Sequence, residues 1–99
     1  MEPMSTPDEL SRILSPVFKS YDVKRAVLFG SCAKGTAGTK SDIDILVDSG
    51  LRGLRFLSLY EDIHRTLGRE IDLFDVAHID KNSKIDMEIS VTGVVIHER

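Results

Sequence analysis

The sequence predicts an α/β fold, with a small mixed sheet of about four strands and helices on one face of the sheet. Apolar residues recur at helical spacing in two stretches, and they alternate with polar residues or run continuously in shorter ones. These two kinds of stretch follow one another along the chain, as in α/β and α+β domains. Because the 99 residues contain no linker and no internal repeat, we expect one domain over residues 1–99.

The helix predictions depend on capping residues and on apolar spacing. Thr6 and Glu9 have the spacing of a capping box, which predicts that a helix begins there and runs over residues 7–20. Residues 54–67 present a second apolar helical face, and a glycine follows directly. A short third helix is predicted within residues 82–90.

Four stretches are predicted as strands. A continuous apolar segment within residues 23–29 ends at Gly30, which is typical of a buried strand that leads into a tight turn. Residues 42–48 and 70–74 alternate between apolar and polar side chains, and residues 94–96 form a closing strand.

Acidic residues lie on the polar face of the two alternating strands. Asp42 and Asp44 are two residues apart and therefore project side by side, where they repel each other unless a cation lies between them. Asp72 has apolar neighbours on both sides and is the predicted third carboxylate, while Glu70 shares its face and is the alternative. Because carboxylates without nearby His or Cys favour hard cations, we expect magnesium or manganese bound by Asp42, Asp44 and Asp72.

A phosphate-binding turn is predicted just before this acidic pair. Gly30 allows a close backbone approach after the buried strand, and N–H groups from Ser31 onward can hold phosphate oxygens. A Walker-type P-loop is excluded, because Thr36 stands where that motif requires lysine after Gly35. A phosphate seat beside metal-binding acids suits in-line displacement at phosphorus.

The combination of these two parts resembles the signature of the DNA polymerase beta-like nucleotidyltransferase superfamily. Gly30-Ser31 is followed, after ten residues, by Asp42-Ile43-Asp44. The full run, residues 30–35 together with residues 41–45, resembles the minimal nucleotidyltransferase branch. The resemblance implies a fold that covers most of the chain, with transfer of a nucleoside monophosphate, AMP from ATP above all, to a hydroxyl group.

The resemblance also implies roles for individual residues. Asp42 and Asp44 would bind two magnesium ions, and Asp72 would complete the site of the second ion, so that these three acids are the predicted catalytic residues. Ser31 would hold the phosphates together with Gly30. Position 34 is Lys where relatives often have Arg, so Lys34 keeps a positive charge for a phosphate but loses the bidentate fork.

The family further implies a protein partner. Members of this size usually act on a small all-helical HEPN-type toxin, to which they transfer AMP on tyrosine, so the resemblance makes this chain an antitoxin within a hetero-oligomer. Two alternatives remain open from the residues alone. The chain could neutralise its partner by binding without catalysis, or it could transfer the nucleotide to RNA or to a small molecule.

The composition excludes several other classes of protein. With 13 Lys and Arg against 16 Asp and Glu, the net charge of −3 gives no basic surface for tight binding of long nucleic acid. The apolar runs are too short to cross a membrane and the first residues lack the pattern of a secretory signal, so we expect a cytoplasmic protein. Cys32 is the single cysteine and can form no internal disulfide.

Overall fold

The computed structural model describes residues 6–30 and 43–99. Within them the chain forms three α-helices, four strands and one short 3₁₀ turn. Their bounds are α1 (Pro7–Ser20), β1 (Arg25–Phe29), β2 (Ile43–Asp48), α2 (Gly53–Leu67), β3 (Ile71–Asp75), the 3₁₀ turn (Val76–His78), α3 (Lys84–Thr92) and β4 (Val94–Glu98). The predicted class, an α/β domain with a small mixed sheet, is confirmed.

The sheet has the strand order β3-β2-β1-β4. β1 lies antiparallel to both β2 and β4, whereas β2 and β3 are parallel and are joined through α2. Because of these directions, the carboxyl end of β1 lies beside the amino ends of β2 and β3. Gly30, Asp44 and Asp72, the predicted site residues within the described ranges, belong to this end of the sheet.

The predicted boundaries of both long helices are confirmed to within a residue. The hydroxyl of Thr6 accepts a hydrogen bond from the Glu9 N–H at 3.2 Å and lies 3.1 Å from a Glu9 carboxylate oxygen, to which it can donate. At the other end of the second helix, Gly68 takes the left-handed conformation with φ +67° and donates its N–H to the His64 carbonyl at 2.8 Å. These local interactions end the helices where the sequence predicts.

The two faces of the sheet are covered differently. α1 and α2 bury one face, and their shared core contains Leu10, Leu14, Phe18, Val23, Ala26, Leu28, Ile43, Ile45, Val47, Leu59, Ile63, Leu67, Ile71 and Ile96. The opposite face carries a smaller cluster of Val27, Phe29 and Leu46, against which α3 packs Ile85 and Ile89. The prediction of helices on one face therefore holds for the two long helices, whereas the short α3 lies on the other face.

The reason is visible in β1, whose residues Ala26 to Phe29 are all buried. A strand with apolar residues at every position needs cover on both faces. α3 supplies the cover on the second face with two isoleucines one helical turn apart. None of the helices in the described part of the chain is long and apolar enough to span a membrane.

Candidate active site

Two predicted acids are neighbours at the amino ends of β2 and β3. Asp44 and Asp72 are register partners in the parallel pair, and adjacent strands lie about 4.8 Å apart. Ile43 and Ile45 are buried in the core against the long helices, so Asp44 projects from the opposite face. Ile71 is buried in the same way, which places Asp72 on the face that carries Asp44. Asp72 is exposed and Asp44 is half-buried.

Gly30 lies against the carboxylate of Asp44. Phe29, the last residue of β1, is the register partner of Asp44, so that the chain turns at Gly30 directly beside it. Gly30 has φ +79°, and a Cβ at this position would lie 2.7 Å from Asp44 Oδ2. Real Cβ atoms essentially never approach another atom so closely. The absent side chain of Gly30 therefore leaves the space that the Asp44 carboxylate occupies.

The N–H group of Gly30 is already used within the protein. It donates to the hydroxyl oxygen of Thr92 at 2.9 Å, and the Thr92 hydroxyl donates to the Glu88 carbonyl at 2.8 Å. The predicted role of Gly30 in phosphate binding would therefore depend on its conformation and its missing side chain rather than on its own N–H. Ser31, Lys34 and Asp42, the other predicted phosphate and metal ligands, lie outside the described residues.

A further acid, which no sequence motif marks, lies at the same place. Glu88 Oε2 is 3.7 Å from the point where a Gly30 Cβ would stand, and Asp44 Oδ2 is 2.7 Å from that point. The two carboxylate oxygens are consequently no more than about 6.4 Å apart, a distance over which like charges repel. The signal in the sequence was the spacing of Ile85 and Ile89, which orients this helix, but the spacing alone does not tell which face of the sheet it covers.

Glu70, the alternative third acid, is directed elsewhere. Its carboxylate lies 3.6 Å from Nε2 of His64, a residue of α2 on the opposite side of the sheet from Asp44. It precedes β3 and is largely exposed. The geometry therefore favours Asp72 over Glu70 as the partner of Asp44.

Asp75, at the other end of the sheet, has a structural role. Asp75 is buried and accepts hydrogen bonds from the Ser49 N–H at 3.3 Å, the Ser49 hydroxyl at 2.5 Å and the Ala77 N–H at 3.0 Å. These bonds cap the 3₁₀ turn and hold the end of β2 against it. A cavity of about 490 Å³ is lined by Asp75, His78 and the segment that follows β2. Asp75 is the last residue of β3, three residues along that strand from Asp72, so the cavity lies apart from the candidate site.

A third polar cluster ties the long helices together on the covered face. Tyr21 donates to Asp62 at 2.5 Å, and Arg65 donates to the same carboxylate at 2.7 Å. The hydrogen bond to Asp62 is the main reason why the pKa of Tyr21 is raised, with desolvation second. The bonds from Tyr21 and then Arg65 lower the pKa of Asp62.

The two acids fit a divalent cation by their chemistry. Asp44 and Asp72 offer hard oxygen donors from adjacent strands on one face, which is the donor type that magnesium and manganese prefer. In the described part of the chain, no group of three or more His, Cys, Asp and Glu side chains is arranged to hold a metal ion. A complete ligand set therefore depends on the predicted contribution of Asp42.

Comparison with known proteins finds relatives of one family. The family model described as Polymerase beta, Nucleotidyltransferase matches residues 13–99. Two proteins of Methanocaldococcus jannaschii, each named a "putative protein adenylyltransferase", are similar in sequence. One is 38% identical over 69 residues, which is 67% of this chain and 73% of the relative, and the other is 35% identical over 78 residues, or 74% and 78%.

Solved structures share the fold at lower identity. A crystal structure of a toxin-antitoxin with AMP-PNP matches with a TM-score of 0.76 and 20% identity, covering 90% of this chain and 73% of that chain. The MNT antitoxin complex with tri-AMPylated Shewanella oneidensis HEPN toxin matches with a TM-score of 0.70 and 16% identity, covering 94% and 73%. Both likenesses extend over nearly all of the chain, and at this identity they establish the fold.

Proposed function

This chain belongs to the polymerase beta nucleotidyltransferase family, and from that premise we propose that it transfers AMP from ATP to a hydroxyl group of a protein partner. The partner that we propose is a small all-helical HEPN-type toxin, which makes the chain an antitoxin of the cytoplasm. Two sequence relatives named as adenylyltransferases support protein as the acceptor. Structural neighbours in toxin-antitoxin complexes, one with AMP-PNP and one with an AMPylated toxin, support the partner and the nucleotide.

The observation that carries the proposal is the Asp44 and Asp72 register pair beside Gly30. Adjacent strands lie about 4.8 Å apart, and two unit negative charges at about that spacing repel each other by roughly 1–3 kcal/mol for effective dielectric constants of 80 to 20. Glu88 adds a third negative charge near Asp44. A site of this kind is stabilised by a divalent cation, which supports a magnesium-dependent reaction.

Each residue has a definite task in this proposal. Asp42 and Asp44 would hold magnesium, for which manganese can substitute, and Asp72 would complete the site of a second ion. When bound, these ions would neutralise charge on the phosphates and lower the pKa of the acceptor hydroxyl. Ser31 and Lys34 bind the phosphates of ATP.

The protein groups then act by orientation. Asp72 is exposed and stands next to Asp44, where it can accept a proton from the attacking hydroxyl group. Gly30 leaves the space in which the Asp44 carboxylate is seated. The hydroxyl oxygen of the acceptor attacks the α-phosphorus of ATP, and pyrophosphate leaves.

The test is a mass measurement on the partner. The chain is mixed with the small all-helical protein proposed as its partner, ATP and magnesium, and the intact mass of that protein is followed. We expect whole adenylyl units to be added by the parent chain, and their loss in Asp44→Asn and Asp72→Asn. Glu70→Gln is the matched control, because Glu70 lies one residue before β3 and faces His64 instead, so this variant is expected to keep the activity. An unmodified partner in the parent reaction would contradict the proposal.

Neutralisation by binding alone is the second candidate. It is favoured by exposed apolar side chains on α3 and β4, where Met87 is 60%, Val91 83% and Val95 51% exposed. Such residues suit a protein interface. If Asp44→Asn protects cells from the partner as fully as the parent chain does, binding is sufficient and the transferase proposal loses its physiological role. Transfer to RNA or to a small molecule has the weaker support, because the net charge of −3 disfavours nucleic acid.

A further inference from the structure

The last residue of α3 lies beside the glycine turn of the site. β1 and β4 are antiparallel with Leu28 opposite Val94, and continuing this register by two residues brings Thr92 opposite Gly30. At this position the ladder does not continue through the backbone. The N–H of Gly30 donates instead to the side-chain hydroxyl oxygen of Thr92, at 2.9 Å.

The Thr92 hydroxyl is held in place from a second direction. It donates to the Glu88 carbonyl one helical turn earlier, at 2.8 Å, so both its donor and one acceptor position are used. The following residue fixes the approach of the two elements, because a Cβ on Gly93 would lie 2.5 Å from the Ile89 carbonyl oxygen and 3.0 Å from Val27 Cγ1. The closer of these contacts is with α3 itself, so glycine at this position lets the chain leave the helix, and it also relieves a tight contact with β1.

We propose that Thr92 is a positioning residue for the nucleotide, acting through Gly30. The inference rests on the proposed function, in which the chain from Gly30 onward binds the phosphates of ATP. By holding the Gly30 N–H, Thr92 fixes the start of that segment in its left-handed conformation before the nucleotide arrives. Without the hydroxyl, part of the ordering would have to occur on binding, which weakens the affinity for ATP.

The size of the effect follows from one hydrogen bond. A net contribution of about 1 kcal/mol corresponds to roughly a fivefold change in an equilibrium constant. We therefore expect Thr92→Val to raise KM for ATP about fivefold. kcat should change less than about twofold, because Asp44 remains held in β2 between β1 and β3.

Two variants serve as controls for the hydroxyl. Thr92→Ser keeps it and is expected to retain the parent KM. Ser90→Ala removes a hydroxyl that makes the same kind of bond within α3, from Ser90 to the Asp86 carbonyl at 3.1 Å, and this variant is also expected to retain the parent KM. A parent-like KM in Thr92→Val, or a KM raised equally in Thr92→Ser, would overturn the proposal.

Amide hydrogen exchange tests the same contact without substrate. In the parent chain, free of nucleotide, the Gly30 amide should exchange slowly, and Thr92→Val should accelerate it at least about tenfold. The amides of Val27 and Ile45, in the same sheet, should be unaffected. Rapid exchange of Gly30 in the parent chain would overturn the inference even if Thr92→Val fails to fold.

The design also separates failure of the inference from failure of the proposed function. If the parent chain transfers no AMP, the proposed function fails, but exchange at Gly30 and titration with AMP-PNP and magnesium still measure the effect of Thr92. The inference then stands if Thr92→Val weakens AMP-PNP binding about fivefold, and it falls if the affinity is unchanged.

Discussion

Replacing Gly30 by alanine tests the contact on which the geometry of the site depends. Two effects are expected from this substitution. The backbone at Gly30 has φ +79°, a conformation that costs a residue with a Cβ about 1–2 kcal/mol. In addition, the new Cβ would lie 2.7 Å from Asp44 Oδ2, so the carboxylate must turn away.

The two effects differ in what they change. The unfavourable backbone conformation lowers stability and, for a domain of 99 residues, should reduce Tm by roughly 5–10 °C. The contact with the new Cβ displaces the Asp44 carboxylate, a predicted metal ligand, and a misplacement of about 1 Å can slow a reaction about 100-fold.

Gly50→Ala separates these effects. Gly50 has φ +70°, and no atom lies within 4 Å of the place where its Cβ would be. Both variants are assayed for Tm and for the rate of AMP transfer to the partner. We expect similar losses in Tm, with a roughly 100-fold slower rate in Gly30→Ala only. The reasoning is refuted if Gly30→Ala transfers AMP at the parent rate, or if Gly50→Ala is slowed as much.

Three further predictions concern charge. With AMP-PNP present, magnesium at about ten times its Kd should raise the Tm of the parent chain by roughly 5–10 °C, and Asp44→Asn should abolish this shift. An equal shift in the variant would argue against the site. Glu88→Gln removes a like charge near Asp44, so without metal its Tm should rise slightly while the magnesium shift shrinks; a larger shift would contradict the assigned repulsion. Tyr21→Phe should lower Tm near neutral pH. This substitution removes the hydrogen bond from Tyr21 to Asp62. Because folding lowers the pKa of Asp62, the stabilisation from this bond is present above the ordinary carboxyl pKa of 3.8, and it is lost as pH falls through the lowered value. Because folding raises the pKa of Tyr21 above 10.0, the stabilisation is also lost as pH rises through the raised value, and a Tm difference constant from acid to alkali would contradict this assignment.

Local signals in the sequence were sufficient for the elements that carry the acids. The period of two around Asp44 and Asp72 placed both carboxylates on one face, because their apolar neighbours had to enter the core. Thr6 and Gly68 determined the ends of the long helices through bonds within a few residues. In each case the interacting residues are close in sequence, so the local sequence pattern is sufficient to predict the element.

The contacts that α3 makes with Gly30 could not be predicted from the local sequence pattern. The burial of every residue from Ala26 to Phe29 indicates cover on both faces, but it does not say which element provides the second cover. Glu88 and Thr92 reach Gly30 only because α3 crosses to that face, across more than fifty residues of sequence. Their role depends on tertiary packing, and no local motif marks it.

The most direct test of the account replaces magnesium with paramagnetic manganese. Amide signals of the chain are recorded with AMP-PNP while substoichiometric Mn²⁺ is added. The account predicts that broadening centres on Gly30, Asp44 and Asp72, at the amino ends of β2 and β3. Broadening centred on Asp75 and His78 at the opposite end of the sheet, or none at all, would contradict it.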